Sequence, residues 1–303
     1  MKNETIQQMN EWKQKKNAVI LAHYYVSEEV QALADYVGDS FYLAKVAKDT
    51  DASVLVFCGV SFMGESAKIL NPDKVVLMPD LTADCPMAHM ATAERIAEMR
   101  RKYEDLAVVC YINSTAELKC LSDVCVTSSN AVKIVRALSN RTVFFIPDRN
   151  LGRYVAEQVP EKNVILNDGC CPIHAAMTAD DIKAEIAKHP DALVVAHPEC
   201  EEEVLLLSDY IGSTAEIISY VKDCDRNEFI VGTEVGVAYR LREDNPGKSF
   251  YFTERLPCCV DMKLNTPERI LHVLATGENE VIIKDDIIER ALVPLDRMLD
   301  IAK

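Results

Sequence analysis

Leu33-Ala34-Asp35-Tyr36-Val37-Gly38-Asp39-Ser40 is the first of three similar octapeptides in this chain of 303 residues. The second is Leu121-Ser122-Asp123-Val124-Cys125-Val126-Thr127-Ser128, and the third is Leu207-Ser208-Asp209-Tyr210-Ile211-Gly212-Ser213-Thr214. Their aspartates lie 88 and 86 residues apart, and Cys85, Cys171 and Cys259 follow those aspartates after 50, 48 and 50 residues. Self-similarity at a fixed period indicates that each copy is one structural unit. Three such units around a pseudo-threefold axis would bring the cysteines together, and three thiolates at one point are most simply a metal site.

The similarity extends to both sides of the octapeptides. Short apolar runs precede them and end at His23, Tyr111 and His197, which are again 88 and 86 residues apart. Behind each octapeptide, segments of helical periodicity alternate with continuous β-branched runs such as 54–57 and 143–146. This alternation is typical of a parallel sheet that is covered by helices on both faces.

We therefore predict an α/β protein of three pseudo-threefold-related three-layer αβα units, each with a small parallel sheet, around a central cavity. Thr266-Pro267-Glu268 begins a fourth copy of the helix that leads each unit, and we expect this tail to pack back on the first unit. The predicted boundaries are 1–87 with the tail 262–303 for the first unit, 88–173 for the second and 174–261 for the third.

Charge and cysteine content narrow the class of function. The formal net charge of −15 argues against nucleic acid or an anionic membrane as a partner, and an anionic substrate would need a locally positive pocket. Apolar runs fall short of the roughly 20 residues that span a bilayer, and residues 1–16 lack the apolar middle of a signal peptide. We expect a cytoplasmic protein, in which the odd count of 11 cysteines favours free thiols and metal ligands over disulfides.

The predicted ligand site lies beyond the carboxyl ends of the strands, as in other open parallel sheets. The strand-end residues His23, Tyr111 and His197 are expected there. Three hydroxyl residues open the following helices, where a hydroxyl and free backbone N–H groups form a ready anion site. These residues are Ser40, Ser128 and Thr214. Alternatively, the hydroxyls are ordinary helix N-caps and the strand-end residues serve packing, and we expect the repeated aspartates to tie each strand to its neighbour.

Three cysteine ligands leave the identity of the metal open. A 4Fe–4S cluster held by three cysteines has one iron without a protein ligand, which can act as a Lewis acid, whereas zinc would take a fourth ligand. No metal is a third possibility. Cys170 and Cys258 directly precede two of the proposed ligands, but the spacing from the aspartates slightly prefers Cys171 and Cys259.

Motifs along nearly the whole chain resemble those of the quinolinate synthase family, in its compact form. The chain carries Leu21-Ala22-His23-Tyr24-Tyr25, Val37-Gly38-Asp39-Ser40, Ile69-Leu70-Asn71-Pro72-Asp73-Lys74, Cys85-Pro86-Met87-Ala88, Tyr111-Ile112-Asn113-Ser114-Thr115, Pro147-Asp148-Arg149-Asn150-Leu151-Gly152, Cys171-Pro172-Ile173-His174, His197-Pro198-Glu199-Cys200, Gly212-Ser213-Thr214, Gly232-Thr233-Glu234 and Cys259-Val260-Asp261-Met262-Lys263. So many motifs in the same order make a chance match improbable.

The resemblance implies an enzyme of NAD biosynthesis with a 4Fe–4S cluster bound by one cysteine from each unit: Cys85, Cys171 and Cys259. It implies condensation of iminoaspartate with dihydroxyacetone phosphate to quinolinate, with loss of phosphate and two waters. A transient contact with L-aspartate oxidase, which would supply iminoaspartate, is a further implication. The implied substrate contacts are His23, Ser40, Tyr111, Asn113, Ser128, His197, Glu199 and Thr214.

Roles for these residues follow as hypotheses. Glu199 is the expected general base, because condensation and dehydration need protons removed from carbon. His197, Ser213 and Thr214 are expected to hold the phosphate or a product carboxylate. Tyr25 and His23 would orient the intermediate for ring closure, with Tyr111 as a proton relay.

Two alternatives belong to other classes of function. A redox sensor or electron carrier would hold the cluster without turnover. A zinc-dependent enzyme acting on a phosphorylated sugar would use a similar pocket with different chemistry. Iron and sulfide content separates the zinc enzyme from both cluster proteins, and turnover separates the enzyme from the sensor.

Overall fold

Three parallel sheets of four strands, each flanked by helices, form the computed structural model, which describes residues 3–303. The predicted α/β fold is confirmed. Residues 1 and 2, which belong to the predicted first unit and to the N-terminal stretch 1–16, lie outside the described residues. Within the part described, no helix combines the length and the apolar character that crossing a membrane would require.

The first unit alternates helices and strands from its first helix onward. Its elements are α1 (Asn3–Lys16), β1 (Ala18–His23), α2 (Glu28–Leu33), β2 (Tyr36–Gly38), α3 (Ser40–Asp49), β3 (Val54–Cys58), α4 (Ser61–Leu70) and β4 (Val75–Leu77). All pairings are parallel, in the order β2-β1-β3-β4. A 3-10 turn, Pro86–His89, follows Cys85.

The second and third units repeat this plan. The second contains α5 (Ala93–Lys102), β5 (Leu106–Tyr111), α6 (Ala116–Lys119), β6 (Val124–Val126), α7 (Ala131–Ala137), β7 (Thr142–Ile146), α8 (Arg149–Gln158) and β8 (Asn163–Leu166). A short helix, α9 (Pro172–Ala175), follows Cys171 across the predicted boundary between the second and third units. The third contains α10 (Ala179–Lys188), β9 (Leu193–Ala196), α11 (Glu202–Leu205), β10 (Tyr210–Ile211), α12 (Thr214–Asp223), β11 (Glu228–Gly232), α13 (Val237–Asp244) and β12 (Ser249–Tyr251). Their strand orders, β6-β5-β7-β8 and β10-β9-β11-β12, match that of the first sheet.

The strand order places the first strand of each unit between the second and the third. The chain therefore moves to opposite sides of this strand in successive connections. The crevice that ligands use in open parallel sheets forms at such a switch point, outside the carboxyl end of the strand. His23 and Tyr111 are the last residues of β1 and β5, and His197 directly follows β9.

The repeated aspartates have the structural role that the sequence predicted. In the first unit the Asp35 carboxylate accepts the Ile20 backbone N–H at 2.8 Å, and the Asp35 N–H donates to the Ile20 carbonyl at 2.9 Å. Asp123 makes the same pair of bonds with Val108, and Asp209 with Val194. Each aspartate thus clamps the connection between the first and second strands of its unit.

The C-terminal tail contacts two units. Helix α14 (Pro267–Thr276) packs on α1, α2 and β3, and α15 (Asp285–Ile301) lies against α4 of the first unit and α6, α7 and β6 of the second. We retain the division at 1–87 with 262–303, 88–173 and 174–261 as a proposal, which the three sheets support.

Candidate active site

One buried cavity brings together all the predicted site residues except Ser213. The cavity is lined by His23, Tyr25, Ser40, Cys85, Tyr111, Asn113, Ser128, Cys171, His197, Glu199, Thr214 and Cys259. Every unit contributes a strand end, a hydroxyl residue and a cysteine to it. Residues that are about 86 positions apart in sequence therefore meet in one place.

The three cysteines share a local arrangement, because a carboxylate fixes the backbone N–H of each. The Cys85 N–H donates to Asp84 at 2.8 Å, Cys171 to Asp148 at 2.9 Å and Cys259 to Glu234 at 3.0 Å. Burial raises the pKa of the Cys85 thiol to about 12 and raises those of Cys171 and Cys259 as well.

Three thiols from three units that converge on one cavity fit a metal centre with three sulfur ligands. Among the described residues, the neighbouring Cys170 and Cys258 are outside the cavity lining, which agrees with the spacing argument for Cys171 and Cys259.

His23 and His197 have the same environment in the first and third units. The Nδ1 atom of each accepts a backbone N–H two residues ahead, from Tyr25 and Glu199 respectively, at 3.2 Å. Burial lowers the pKa of both imidazoles to about 3, so that they are neutral. A neutral ring whose Nδ1 accepts carries its proton on Nε2. Each ring therefore keeps one N–H donor that its backbone partner does not use.

Glu199 is buried and has several polar neighbours. Its Oε2 atom lies 2.8 Å from Nδ1 of His174 and 3.9 Å from Nδ1 of His197, and Tyr111 hydrogen-bonds to the carboxylate. Burial by itself would raise the pKa of Glu199, but the two imidazoles and the hydrogen bonds outweigh it and lower the pKa to about 2. Burial and the Glu199 charge raise the pKa of Tyr111, whose hydroxyl therefore keeps its proton and donates.

Tyr25 joins the first unit to the third. Its hydroxyl lies 2.7 Å from Oγ1 of Thr214 and 2.8 Å from Oγ1 of Thr233. Thr233 in turn lies 2.9 Å from Nε2 of His174. A hydrogen-bonded chain thus runs from Tyr25 through Thr233 and His174 to Glu199.

Only two of the three hydroxyl residues predicted to open helices do so. Ser128 does not, because it lies three residues before Ala131, where α7 begins with Asn130 as its N-cap. Asp39 and Ser213 are the N-caps of α3 and α12, and Ser40 and Thr214 are the first helical residues. Each cap side chain accepts one helix N–H, from Tyr42 or Glu216, and the hydroxyls of Ser40 and Thr214 line the cavity. Ser213 is fully buried in a capping box with Glu216, outside the cavity lining as described, so that its hydroxyl has a structural partner.

Several lining residues were not predicted from the sequence. They are Asp39, Val60, Phe62, Met87, Thr127, Ile173, His174, Glu234 and Met262. His174 occurs in a motif quoted above but has no counterpart of the same type in the other units, so a search for recurrence passes over it. Glu234 has one, because it lies 86 residues after Asp148 and both carboxylates accept the N–H of a cavity cysteine. The lining described contains no lysine or arginine, and its donors for an anion are helix N-termini, hydroxyls and imidazole N–H groups.

Comparison with known proteins places the chain in a family. The family model described as quinolinate synthetase A protein matches residues 7–300. The chain is 53% identical over 287 residues to the quinolinate synthase of Fusobacterium nucleatum subsp. nucleatum, covering 95% of this chain and 96% of that protein. It is 46% identical over 303 residues to the quinolinate synthase of Clostridioides difficile, covering 100% of both chains, and 44% identical over 306 residues to that of a Sulfurihydrogenibium species, covering 99% of both. The chain belongs to the quinolinate synthase family.

Proposed function

We propose that this chain is an enzyme of NAD biosynthesis that condenses iminoaspartate with dihydroxyacetone phosphate, giving quinolinate, phosphate and two waters. The observation that carries the proposal is the meeting of strand ends, hydroxyls and cysteines from all three units in one buried cavity. Family membership supports the same reaction.

The cofactor we propose is a 4Fe–4S cluster held by Cys85, Cys171 and Cys259. When bound, such a cluster would supply one iron without a protein ligand, which is a Lewis acid for oxygen atoms of the substrate. The thiol donor set and its burial fit the group. Asn113 also lines the cavity, and its buried Oδ1 atom has no hydrogen-bond partner within the described residues. This atom can accept a hydrogen bond from a hydroxyl or imine N–H of a ligand.

Anion binding is assigned to neutral donors. The Nε2–H groups of His23 and His197 and the hydroxyls of Ser40, Ser128 and Thr214 are available to phosphate and carboxylate oxygens. The first turns of α3 and α12 add backbone N–H groups and the positive end of the helix dipole. We do not assign Ser213 to the ligand, because its hydroxyl accepts the Glu216 N–H and its own backbone N–H donates to the Glu216 carboxylate at 2.7 Å.

Proton transfer is assigned to the network around Glu199. Glu199 is ionised at neutral pH and can therefore accept a proton from carbon, while the contacts with His174 and Tyr111 that lower its pKa make it a weaker base than a free carboxylate. Tyr111 can pass the proton onward because it bonds directly to Glu199. Tyr25, fixed by Thr214 and Thr233, orients the intermediate beside His23.

Anaerobic purification with iron and sulfide analysis, followed by an assay with both substrates, tests the proposal. We expect about four irons and four sulfides per chain and formation of quinolinate. Cys171→Ser should lose cluster and activity together, and Cys170→Ser is the matched control that keeps both. A full cluster without turnover would favour a sensor, and zinc without sulfide would favour the zinc enzyme.

We also propose a cytoplasmic location and delivery of iminoaspartate by transient contact with L-aspartate oxidase. All 11 cysteines are free thiols, which suits a reducing compartment. The contact is supported by the chemistry of the substrate, because an imine hydrolyses in water.

A further inference from the structure

We propose that the cluster-free chain has a mononuclear site for a divalent transition metal, formed by Cys171, His174 and Glu199. The ion would occupy the same cavity as the cluster and would use Cys171, one of the three cysteines proposed to hold the cluster. Metal binding and cluster binding would then exclude each other. The cation site does not depend on the proposed function. Only the mutual exclusion of metal and cluster rests on that function.

The geometry that carries this inference is the close approach of three different donor atoms. Nδ1 of His174 lies 3.2 Å from Sγ of Cys171 and 2.8 Å from Oε2 of Glu199. The three ligand atoms all lie within 4.8 Å of one another. Ligand atoms about 2.0–2.3 Å from a tetrahedral ion are roughly 3.3–3.6 Å apart. The two short distances would have to lengthen by about 0.3–0.5 Å, and the distance between Sγ and the carboxylate oxygen, at most 4.8 Å, would have to be about 3.5 Å.

Neighbouring groups already orient the three ligands. Thr233 lies 2.9 Å from Nε2 of His174 and can hold a proton there, so that a metal which displaces the Nδ1 proton facing Glu199 would bind the Nδ1 lone pair. Tyr111 hydrogen-bonds to the Glu199 carboxylate. The Cys171 backbone is held by Asp148 at 2.9 Å. Outer hydrogen bonds of this kind are typical of metal sites and fix the ligand rings and carboxylates in place.

The donor set selects the class of ion. One thiolate, one imidazole and one carboxylate suit Zn²⁺, Co²⁺ or Fe²⁺, whereas Mg²⁺ and Ca²⁺ prefer oxygen ligands only. His174 and Glu199 are 2% and 4% exposed in their side chains, so the ion would be shielded from bulk water. Three protein ligands leave a fourth position toward the cavity, as in zinc sites that bind a water or a small ligand.

Titration of the full-length, cluster-free chain with Co²⁺ under anaerobic conditions tests the site. We expect one equivalent to bind with visible bands of a tetrahedral ion and a charge-transfer band from a single thiolate. His174→Ala and Glu199→Gln should each weaken binding by at least about 10-fold, and circular dichroism checks that both variants fold. Unchanged Co²⁺ affinity in both variants would overturn the site.

A double variant separates this site from one made of the three cluster cysteines. Cys85→Ser with Cys259→Ser removes two of the three thiols but leaves Cys171, His174 and Glu199 intact. We expect Co²⁺ affinity and the single-thiolate spectrum to persist in this variant. Loss of binding, together with a spectrum of three thiolates in the parent chain, would assign the ion to the cysteines and refute the proposal.

The mutual exclusion of metal and cluster is tested by reconstituting the cluster in the chain with and without a prior equivalent of Zn²⁺. We expect the zinc-loaded chain to acquire little iron and sulfide until a chelator removes the zinc. Cluster formation at an equal rate in both samples would contradict exclusion. If no cluster forms even without zinc, the proposed function fails, while the Co²⁺ result still decides the cation site.

Discussion

Glu199 lies where the hydrogen bonds of the site converge, with His174 at 2.8 Å and Tyr111 in contact. Glu199→Gln keeps the size of the side chain but removes the basic oxygen. We expect the cluster to be retained and turnover to fall by roughly 10²-fold or more, because general-base catalysis contributes about that much. Quinolinate formation and iron content are the measurements.

The control for this substitution is Glu201→Gln. Glu201 is two residues along the chain and pairs with Arg149 at 2.6 Å, but it does not line the cavity as described. Its turnover should stay near that of the parent chain. Parent-level turnover in Glu199→Gln would remove Glu199 from the role of base.

The buried histidines make stability depend on pH. His23 and His197 have a pKa of about 3 in the folded chain, against roughly 6.5 when unfolded. Between these values the unfolded chain binds more protons, so stability is lost as the pH falls below about 6.5. Each histidine contributes about 2 kcal/mol of this loss between pH 7.5 and pH 5.

Urea unfolding of the cluster-free chain at several pH values measures this effect. His197→Asn should reduce the slope of unfolding free energy against pH by up to about 1.4 kcal/mol per pH unit. His272→Asn, which removes an exposed imidazole with a side-chain exposure of 55%, is the control. Equal slopes for the parent and His197→Asn would contradict the assignment of a buried neutral ring.

At the residue scale, recurrence decides what the sequence can predict. The cysteines and strand-end residues recur at fixed spacing, and the cavity indeed contains them. His174 and Thr233 connect Tyr25 to Glu199 but occur once. They act through contacts between units, and such contacts cannot be read from a single copy of the repeat.

Among the elements, the clamp made by the repeated aspartates can be tested in isolation. In the third unit Asp209 accepts the Val194 N–H at 2.8 Å, and Val194 is buried. Asp209→Ala would leave this N–H without a partner inside the protein, which costs about 1–3 kcal/mol. Chemical denaturation should show a lower unfolding free energy by that amount.

Asp225→Ala is the control for the aspartate clamp, since Asp225 is exposed in the connection between α12 and β11. Surface substitutions of this kind usually change stability by less than about 0.5 kcal/mol. Equal effects of the two substitutions would show that the Asp209 bond contributes nothing of its own.

A second recurring element was not anticipated from the sequence. Lys74, Lys162 and Lys248 are again 88 and 86 residues apart. Each ammonium donates to two backbone carbonyls at or just beyond the C-terminal end of a helix: α3, α7 and α12 respectively. The spacing can be read from the sequence, but a lysine before an edge strand ordinarily indicates only a solvated surface.

The sequence also did not predict the short strands β2, β6 and β10. They are two or three residues long and lie inside the octapeptides. Hydrophobic periodicity needs a longer window to distinguish a strand from a loop. Their pairing is set instead by the aspartate clamp and by the neighbouring first strand of each sheet.

For the molecule as a whole, a polar side chain bonds to the backbone across each junction between units. Glu65 of the first unit accepts the Ala116 N–H of the second at 2.9 Å. Asn150 of the second donates to the Glu199 carbonyl of the third at 3.0 Å, and Gln31 of the first donates to the Gly236 carbonyl of the third at 2.9 Å. The contacts that join the units therefore also position residues of the site.

The junction between the first and third units offers the sharpest test of this coupling. A Cβ atom added to Gly236 would lie 2.8 Å from the Tyr24 carbonyl oxygen, the Tyr25 Cα atom and a Glu234 carboxylate oxygen. Since two of these neighbours are backbone, Gly236→Ala must move the chain that carries Tyr25. Overpacking of this kind costs typically about 1–3 kcal/mol, and a displacement of about 1 Å at a catalytic group can lower turnover about 10²-fold. Denaturation and quinolinate formation measure the two effects. Gly247→Ala, where an added Cβ has nothing within 4 Å, should change neither, and a Gly236→Ala chain with parent stability and turnover would show that the units need not approach this closely.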